Sequence, residues 1–432
     1  MKKSESIAII ILVLSSSYIL ANISVFAIVN DTSQFRVFAN ALEFTGTGYP
    51  GGAISWGTFD EAFDDFPELK QNHGNYKMAI LDSGIDEAVW DEFDNDYGNY
   101  LDIHYIDENG DDVAKTSAED VCSFHHGTVV MSVAIQCLER EECDVYGSIY
   151  MFQVAEDDQG AVDPDLVEQQ LQWIIDWNEE ESAKFKVISM SFGAYYIGQQ
   201  VCFEDELEEL SDEYNCLLIA ASGNYVIEDT AYYESEDKPI FPACSEYVFG
   251  VGGVFGPAQT TGYNICRMTA QWEEETQGEL TTNGLYVGSL YSHLINGNPI
   301  DFSERTVDLV TPGFKVEGKC DYFNNDTVIN VIATGTSLAV PQVAIAAYLA
   351  ARKGYYDHST DYINLDRFFA SIYQSSENND TYRTKTTSEK SNCEYAGIPV
   401  ANLGTYTKYY SYRVGYGSLD VHDMIEFVED LS

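Results

Sequence analysis

Short apolar segments that alternate with helical stretches constrain the fold of this chain more than any other feature. The predicted strands cover residues 77–81, 148–154, 186–191, 216–221, 247–252 and 306–310. The predicted helices cover residues 163–177, 205–214 and 337–351. Apolar strands that alternate with helices are typical of a mainly parallel sheet covered on both faces. The sequence therefore predicts a three-layer α/β fold with a mainly parallel central sheet flanked by helices.

The charge of the chain excludes two classes of partner. Its 432 residues include 71 acidic and 22 basic side chains, which gives a formal net charge of −49. Such a surface repels nucleic acid and anionic membranes, so we exclude both as partners. The acidity fits a salt-rich setting, where ions screen the repulsion, and it equally fits an ordinary acidic extracellular protein. We expect a monomer.

The first 27 residues have the layout of an export segment. Two lysines, Lys2 and Lys3, precede a mostly apolar run over residues 7–29. This predicts a secretory signal cleaved after Ala21 or Ala27, or else an uncleaved membrane anchor. Residues 28–75 are then an N-terminal extension, and residues 76–432 form the main domain, with insertions near 256–300 and 375–410. Both alternatives place the main domain outside the cell, secreted or anchored at its surface.

Nine cysteines agree with export, because an extracellular protein can keep disulfide bonds. Cys137 and Cys143 are close in sequence and could form a local bridge, as could Cys202 and Cys216. The pairing cannot be deduced from spacing alone, and an odd number leaves at least one thiol unpaired or intermolecular. The sequence therefore predicts disulfide bonds without fixing which cysteines form them.

Four polar residues stand at the ends of apolar strands or at the starts of helices. Asp82 follows the first strand, His126 opens a predicted helix, Asn224 follows a buried strand, and Ser337 precedes an alanine-rich helix. Each motif taken alone is more often a turn or a helix cap than a catalytic group. Together they offer a base near neutral pH, an acid to orient it, an amide donor and a nucleophile at a helix start.

The four motifs and their order resemble those of the subtilisin-like serine proteases. The resemblance runs from about Tyr76 to the C-terminus. It implies a secreted serine endopeptidase in which Ser337 attacks the peptide carbonyl and forms an acyl-enzyme, with His126 as base and Asp82 orienting it. The Asn224 amide and the Ser337 backbone N–H would hold the oxyanion. His125 is the rival base, but only His126 is followed by glycine, as the family pattern requires.

The resemblance also implies where a polypeptide substrate binds. An extended peptide would lie beside Ser191, Phe192 and Gly193 and add to the sheet through backbone hydrogen bonds. Ile240 stands where the family often has glycine, which predicts a shallow primary pocket and a preference for small or medium side chains. Residues 28–75 are too few for the full pro-domain that many secreted members carry.

A calcium site is a further expectation, since the family often binds this ion. Asp107, Asn109 and Asp111 cluster oxygen ligands that suit Ca²⁺, and Asp91 is another candidate ligand. No cofactor is expected for the chemistry itself. Two alternatives stay open, namely a catalytically inactive subtilase-like binding protein and an acid-acting, sedolisin-like peptidase. The second uses Glu and Asp in place of the base and the amide, so His126 and Asn224 argue against it.

Overall fold

The computed structural model describes about half of the chain, in sixteen segments. The described segments are residues 35–37, 41–44, 56–71, 76–97, 100–139, 143–145, 148–158, 160–195, 203–223, 240–254, 308–313, 316–321, 327–358, 395–400, 404–409 and 419–430. The predicted export segment, the insertion near 256–300 and Asn224 lie outside them.

The described residues form seventeen strands, seven α-helices and three 3₁₀ turns. The strands are β1 Phe35–Val37, β2 Ala41–Phe44, β3 Tyr76–Asp82, β4 Ile103–Ile106, β5 Asp112–Val113, β6 Ile149–Gln153, β7 Ala161–Val162, β8 Lys184–Met190, β9 Phe192–Tyr195, β10 Leu217–Ala221, β11 Ile240–Phe241, β12 Val248–Val254, β13 Leu309–Pro312, β14 Val316–Cys320, β15 Ile329–Thr334, β16 Tyr395–Val400 and β17 Gly404–Tyr409. The helices are α1 Trp56–Asp65, α2 Glu87–Tyr97, α3 His126–Glu139, α4 Pro164–Glu180, α5 Glu204–Asp212, α6 Val340–His358 and α7 Val421–Asp430. The 3₁₀ turns are Pro67–Lys70, Lys115–Ser117 and Thr336–Leu338.

An eight-stranded sheet in the order β13-β12-β10-β8-β3-β6-β4-β5 forms the centre of the molecule. Its first seven strands run parallel, and β5 pairs antiparallel with β4 at the edge. Every residue of β3 is buried, as expected for a central strand covered on both faces. The predicted α/β fold with a mainly parallel sheet is therefore confirmed, although β13 begins three residues later than predicted.

Two apolar layers cover the sheet, because successive side chains of a strand point to opposite faces. Met78 and Ile80 of β3 pack on one side with helices α1, α2, α3, α6 and α7. Ala79 and Leu81 pack on the other side with α4 and α5. The alternation along a single strand thus fixes two separate cores and three layers.

Helix α6 runs through the first of these cores, with its Ala-rich segment buried against β3, β8 and β10. Alanine has the strongest helix propensity and lets a helix approach a sheet closely. The predicted helix started at Ser337, whereas the structure has the 3₁₀ turn Thr336–Leu338 before α6 begins at Val340. Pro341 fits the first turn of α6, where its missing N–H is not needed.

Three smaller sheets complete the described part. One is antiparallel in the order β11-β9-β1-β7, and a second has the order β14-β15-β2. Strands β16 and β17 form a hairpin, which lies within the predicted insertion near 375–410. Strands β1 and β2 come from the N-terminal extension, so this extension pairs with both of the first two small sheets.

The predicted bridge between Cys137 and Cys143 is wrong. Both are buried thiols; the Cys137 Sγ donates to the Val133 carbonyl at 3.3 Å, and the Cys143 Sγ donates to the Leu69 carbonyl at 3.2 Å. Burial raises the pKa of each thiol. The alternative pair with Cys216 involves Cys202, which lies outside the described residues. No helix in the described segments is long and apolar enough to cross a bilayer.

Candidate active site

Asp82 and His126 form a buried hydrogen-bonded pair at the carboxyl edge of the central sheet. Asp82 is the last residue of β3, and His126 is the first residue of α3. The Nδ1 atom of His126 lies 2.7 Å from Oδ1 of Asp82, and both side chains are almost fully buried. A carboxylate at this position accepts the Nδ1 proton, which leaves Nε2 as the basic nitrogen. Nε2 has no hydrogen-bond partner among the described residues.

Two glycines allow the start of α3 to approach the loop after β3. A Cβ atom at Gly127 would lie 2.4 Å from the Gly84 carbonyl oxygen, and one at Gly84 would lie 2.1 Å from the Glu119 carbonyl oxygen. Gly84 also has a φ of +121°, which L side chains rarely adopt. The glycine after His126 thus has a packing reason: without it the histidine could not reach Asp82.

Ser337 lies in the 3₁₀ turn that precedes α6 and is fully buried. Its hydroxyl donates to the Ser191 carbonyl at 2.9 Å, and the Ser191 hydroxyl donates back to the Ser337 carbonyl at 2.9 Å. This reciprocal pair fastens the turn to the end of β8. The turn also contacts α3, the helix that begins with His126. The structure therefore brings Asp82, His126 and Ser337 to one region at the edge of the sheet.

Gln342 holds the other side of the turn. Its Nε2 donates to the Pro312 carbonyl at 2.6 Å and to the Leu338 carbonyl at 2.7 Å. The Gly335 N–H donates to the Gly313 carbonyl at 2.8 Å. The Ser337 turn is thus tied to β13 as well as to β8. Gln342 was not among the predicted site residues, because its bond to Pro312 joins residues 30 apart along the chain.

A second histidine–aspartate pair lies beside the first. The Nδ1 atom of His125 lies 2.9 Å from Oδ1 of Asp86, and Oδ2 of Asp86 accepts from the Asp321 N–H at 3.0 Å. Burial lowers the pKa of His125, but the hydrogen bond to Asp86 and the charges of Asp86, Asp120 and Asp321 raise it above its ordinary value. Both candidate bases therefore have a carboxylate partner. The sequence predicted Asp82 as the partner of His126, but it did not reveal Asp86 as the partner of His125.

Asp120 connects the loop after β3 to the first turn of α3. Its Oδ1 accepts from the Ser83 hydroxyl at 2.7 Å and from the Cys122 N–H at 3.1 Å. Its Oδ2 accepts from both the N–H and the hydroxyl of Thr128 at 2.8 Å. The Ser83 oxygen in turn accepts from the Gly127 N–H at 2.9 Å. Asp120 thereby holds the residues on either side of the Asp82–His126 pair.

The pKa of Asp120 follows from its surroundings. Burial of the carboxyl group and the nearby charge of Asp86 raise this pKa to about 7, against hydrogen bonds from Thr128 and Ser83 that lower it. Asp120 was not among the predicted site residues. Its position in the sequence could have identified it. Asp120 stands six residues before His126, and an acidic side chain just ahead of a helix can cap the helix N-terminus.

Three of the four predicted substrate-binding residues are Ser191 and the two residues that follow it, beside the Ser337 turn. Ser191 bonds to Ser337, and the buried Phe192 and Gly193 open strand β9. Ile240 lies on β11, opposite Tyr195 of β9. Only the backbone of Ile240 is among the described parts of the structure. Asn224, the predicted oxyanion donor, is also outside the described residues, so its role stays a prediction.

The predicted calcium ligands have other partners. Asp91 pairs with Lys115 at 2.7 Å. Oδ1 of Asp107 accepts from the backbone N–H groups of Asn109 and Asp111, at 2.8 Å and 3.0 Å, as in an ordinary Asx turn. Calcium binding by Asp91, Asp107, Asn109 and Asp111 stays a prediction. Within the described segments, His422, Asp423 and Glu426 form a surface cluster whose ligand atoms lie close enough together to share a metal ion.

Comparisons with known proteins give a likeness of fold. No family model matches the chain, and no curated protein matches it. The crystal structure of a lanthipeptide protease has a TM-score of 0.53 and 16% sequence identity, over 88% of this chain and 99% of the other. The structure of the prenylagaramide maturation protease PagA has a TM-score of 0.49 and 15% identity, over 86% of this chain and 98% of the other.

These comparisons correct two predictions. Membership in the subtilisin-like family is not upheld, because no family model matches the chain and the likeness of fold is to a lanthipeptide protease. The function that came with that family, a subtilisin-type endopeptidase, is corrected with it, and so are the two alternatives drawn from the same resemblance. The extracellular location stays a prediction. At 16% identity the likeness to the lanthipeptide protease establishes the fold alone.

Proposed function

We propose that this protein is a serine-type peptidase whose reactive hydroxyl belongs to Ser337 and whose base is His126, oriented by Asp82. The proposal rests on the 2.7 Å hydrogen bond between His126 and Asp82, buried at the carboxyl edge of a parallel sheet. Ligands and chemistry in open α/β sheets gather at that edge. The likeness in fold to a lanthipeptide protease supports peptides as the substrate class.

The proposed chemistry follows from the order of hydrogen bonds. Asp82 keeps the proton of His126 on Nδ1, so Nε2 can take the Ser337 proton as the oxygen attacks a peptide carbonyl. The buried carboxylate then stabilises the imidazolium that forms. Positioned general bases of this kind contribute roughly 10²–10⁴ to the rate. The contact between α3 and the Ser337 turn supports proximity of the two groups.

The reciprocal bonds between Ser191 and Ser337 support a specific role for the turn. The Ser337 hydroxyl points its proton at the Ser191 carbonyl, and the O–H must turn about the Cβ–Oγ bond to deliver that proton to His126. Such rotation is a fast side-chain motion. In the resting enzyme the backbone of the turn is therefore already fixed. Substrate binding has only to turn the Ser337 hydroxyl from the Ser191 carbonyl towards His126.

The test is casein cleavage by the full chain and by two serine variants. Ser337→Ala should lower the cleavage rate at least about 10³-fold, because it removes the proposed nucleophile. The other described hydroxyl in this turn is that of Thr336. The matched control is Ser211→Ala, a buried serine on α5 away from the site, which should stay within about threefold of wild type. Casein cleavage that survives in Ser337→Ala would contradict the proposal.

A further inference from the structure

The Ser83 hydroxyl lies between two buried carboxyl groups and has one proton to donate. Its Oγ atom is 2.7 Å from Oδ1 of Asp120 and 3.3 Å from Oδ1 of Asp82. The same Oγ atom accepts from the Gly127 N–H at 2.9 Å, and this backbone donor keeps it in place. Ser83 and both aspartates are buried, where a hydrogen bond to a charged group is strong. The shorter distance assigns the Ser83 proton to Asp120.

Oδ1 of Asp82 is the atom on which the direction of the Ser83 hydroxyl acts. This oxygen already accepts from Nδ1 of His126 at 2.7 Å and from the Ser83 N–H at 2.8 Å. The other oxygen of Asp82, Oδ2, is buried and has no hydrogen-bond partner among the described residues. A further donor at Oδ1 would therefore compete with His126 for the one oxygen that orients it.

The Asp120 carboxyl group accepts four hydrogen bonds from the described residues. Oδ1 accepts from the Ser83 hydroxyl and the Cys122 N–H, and Oδ2 accepts from the N–H and the hydroxyl of Thr128. A carboxylate satisfies all four donors, whereas a protonated carboxyl group must turn one of them away. A backbone N–H cannot turn, so a hydroxyl has to do so. Ser83 is that hydroxyl, because Oδ1 of Asp82 offers its proton a second acceptor.

We propose that Asp120 is a positioning residue for the peptidase reaction and acts through Ser83. As a carboxylate, Asp120 holds the Ser83 proton and leaves Oδ1 of Asp82 to the base. When Asp120 gains a proton, the Ser83 hydroxyl turns to Asp82. It then competes with the imidazole for Oδ1 and loosens the orientation of the base. This inference rests on the proposed function of Ser337 and His126.

This change falls near neutral pH. Burial and the charge of Asp86 raise the pKa of Asp120 to about 7, and the charge of His125 opposes the shift. Asp120 is therefore mainly a carboxylate above pH 7 and mainly protonated below it. Burial raises the pKa of both Tyr105 and Cys122, so these two neighbours stay neutral in this range. The titratable groups around Asp120 and Ser83 lie on β3, on β4, in the loops that follow them and at the start of α3, namely Asp82, Asp86, Tyr105, Cys122, His125 and His126.

The experiment compares initial rates of casein cleavage by the full chain at pH 9 and pH 6. Wild type should lose about tenfold more rate than Ser83→Ala over this range, a modest part of the roughly 10²-fold that misplacing a catalytic group can cost. Ser83→Ala leaves the titration of His125 in place, so the difference reports the Ser83 hydroxyl. Thr128→Val is the matched control. It also removes a hydroxyl that donates to Asp120, but it keeps Ser83, so the extra loss of rate should remain.

Asp120→Asn gives a second measurement in which Ser83 is kept. Its NH₂ group should take the position of Oδ1, because the N–H of Cys122 is 3.1 Å away there, whereas the N–H of Thr128 is 2.8 Å from Oδ2. The variant then mimics the protonated carboxyl group. It should be about tenfold slower than wild type at pH 9 and within about threefold of wild type at pH 6. Thermal midpoints near that of wild type would show that the variants fold.

Four outcomes decide between this inference and the proposed function. Wild type that cleaves casein with the same pH dependence as Ser83→Ala would overturn the positioning role while the peptidase stands. Equal slowing of Asp120→Asn at both pH values would do the same, because it would indicate a merely structural role. Loss of the extra pH effect in Thr128→Val as well would overturn the specific part of Ser83. Wild type that cleaves no casein at either pH would overturn both the peptidase and this inference.

Discussion

Two adjacent histidines at the start of α3 each bond an aspartate through Nδ1, yet their surroundings differ. The His126–Asp82 distance is 2.7 Å, and the two side chains are 1% and 0% exposed. The His125–Asp86 distance is 2.9 Å, and Asp86 is 11% exposed. Asp82 ends a central strand, whereas Asp86 lies in the loop before α2 and also accepts from the Asp321 backbone.

The difference separates a reactive pair from a structural one. His125 has a φ of 54° immediately before the helix, a conformation that non-glycine residues adopt mainly in turns and caps. Its partner Asp86 is tied to the residue after β14, so the pair joins two loops. His126 instead belongs to the helix and lies by the Ser337 turn. A carboxylate partner alone therefore does not identify a catalytic histidine; its position relative to the nucleophile does.

The largest expected effect comes from removing each histidine in turn. His126→Ala should lower the casein cleavage rate by about 10²–10⁴, the usual contribution of a general base. His125→Ala should lower the rate less than about tenfold, but it leaves Asp86 without its histidine partner and should cost about 1–3 kcal/mol of stability. Initial rates and urea unfolding on the same preparations measure both effects. The comparison breaks if His125→Ala loses as much activity as His126→Ala.

A smaller effect is the pH dependence of the free energy of unfolding. It involves Asp120, which lies beside both histidine–aspartate pairs. Its folded pKa of about 7 exceeds the ordinary value of 3.8, so the folded state holds this proton more tightly. The resulting stability is complete below about pH 4 and is lost as pH rises towards 7, with a slope of up to about 1.4 kcal/mol per pH unit. The raised pKa of His125 acts in the same direction, with stability lost as pH rises through it.

Asp120→Asn should therefore flatten the fall in unfolding free energy between pH 4 and pH 7. Urea unfolding at four pH values measures the slope, and Asp111→Asn, an exposed carboxylate in the turn after β4, is the matched control. A variant slope as steep as that of wild type would show that Asp120 does not carry this titration.

The sequence predicted the sheet and the ends of its strands well, because buried parallel strands leave continuous apolar runs. Asp82, His126 and Ser337 were found for the same reason: each stands where such a run stops or a helix begins. Ser337 was expected at a helix start, but the structure has a 3₁₀ turn there, bonded to Ser191, before α6 begins.

Contacts between distant segments could not be predicted. The Asp120–Ser83 bond joins residues 37 apart, and the bond from Asp321 to Asp86 joins residues 235 apart. Neither leaves a local pattern in the sequence. The three-residue strand β1 carries no periodic signal either, and its position is visible only from its partners β7 and β9. The predicted Cys137–Cys143 bridge is wrong, because closeness in sequence does not fix the directions of the two side chains.

The most direct test of the account is labelling with a fluorophosphonate, which modifies activated serine hydroxyls, followed by peptide mass mapping. The account predicts one adduct, on Ser337, that is lost in His126→Ala and retained in His125→Ala. An adduct on another serine, or equal labelling of Ser337 in wild type and His126→Ala, would contradict the claim that His126 activates Ser337.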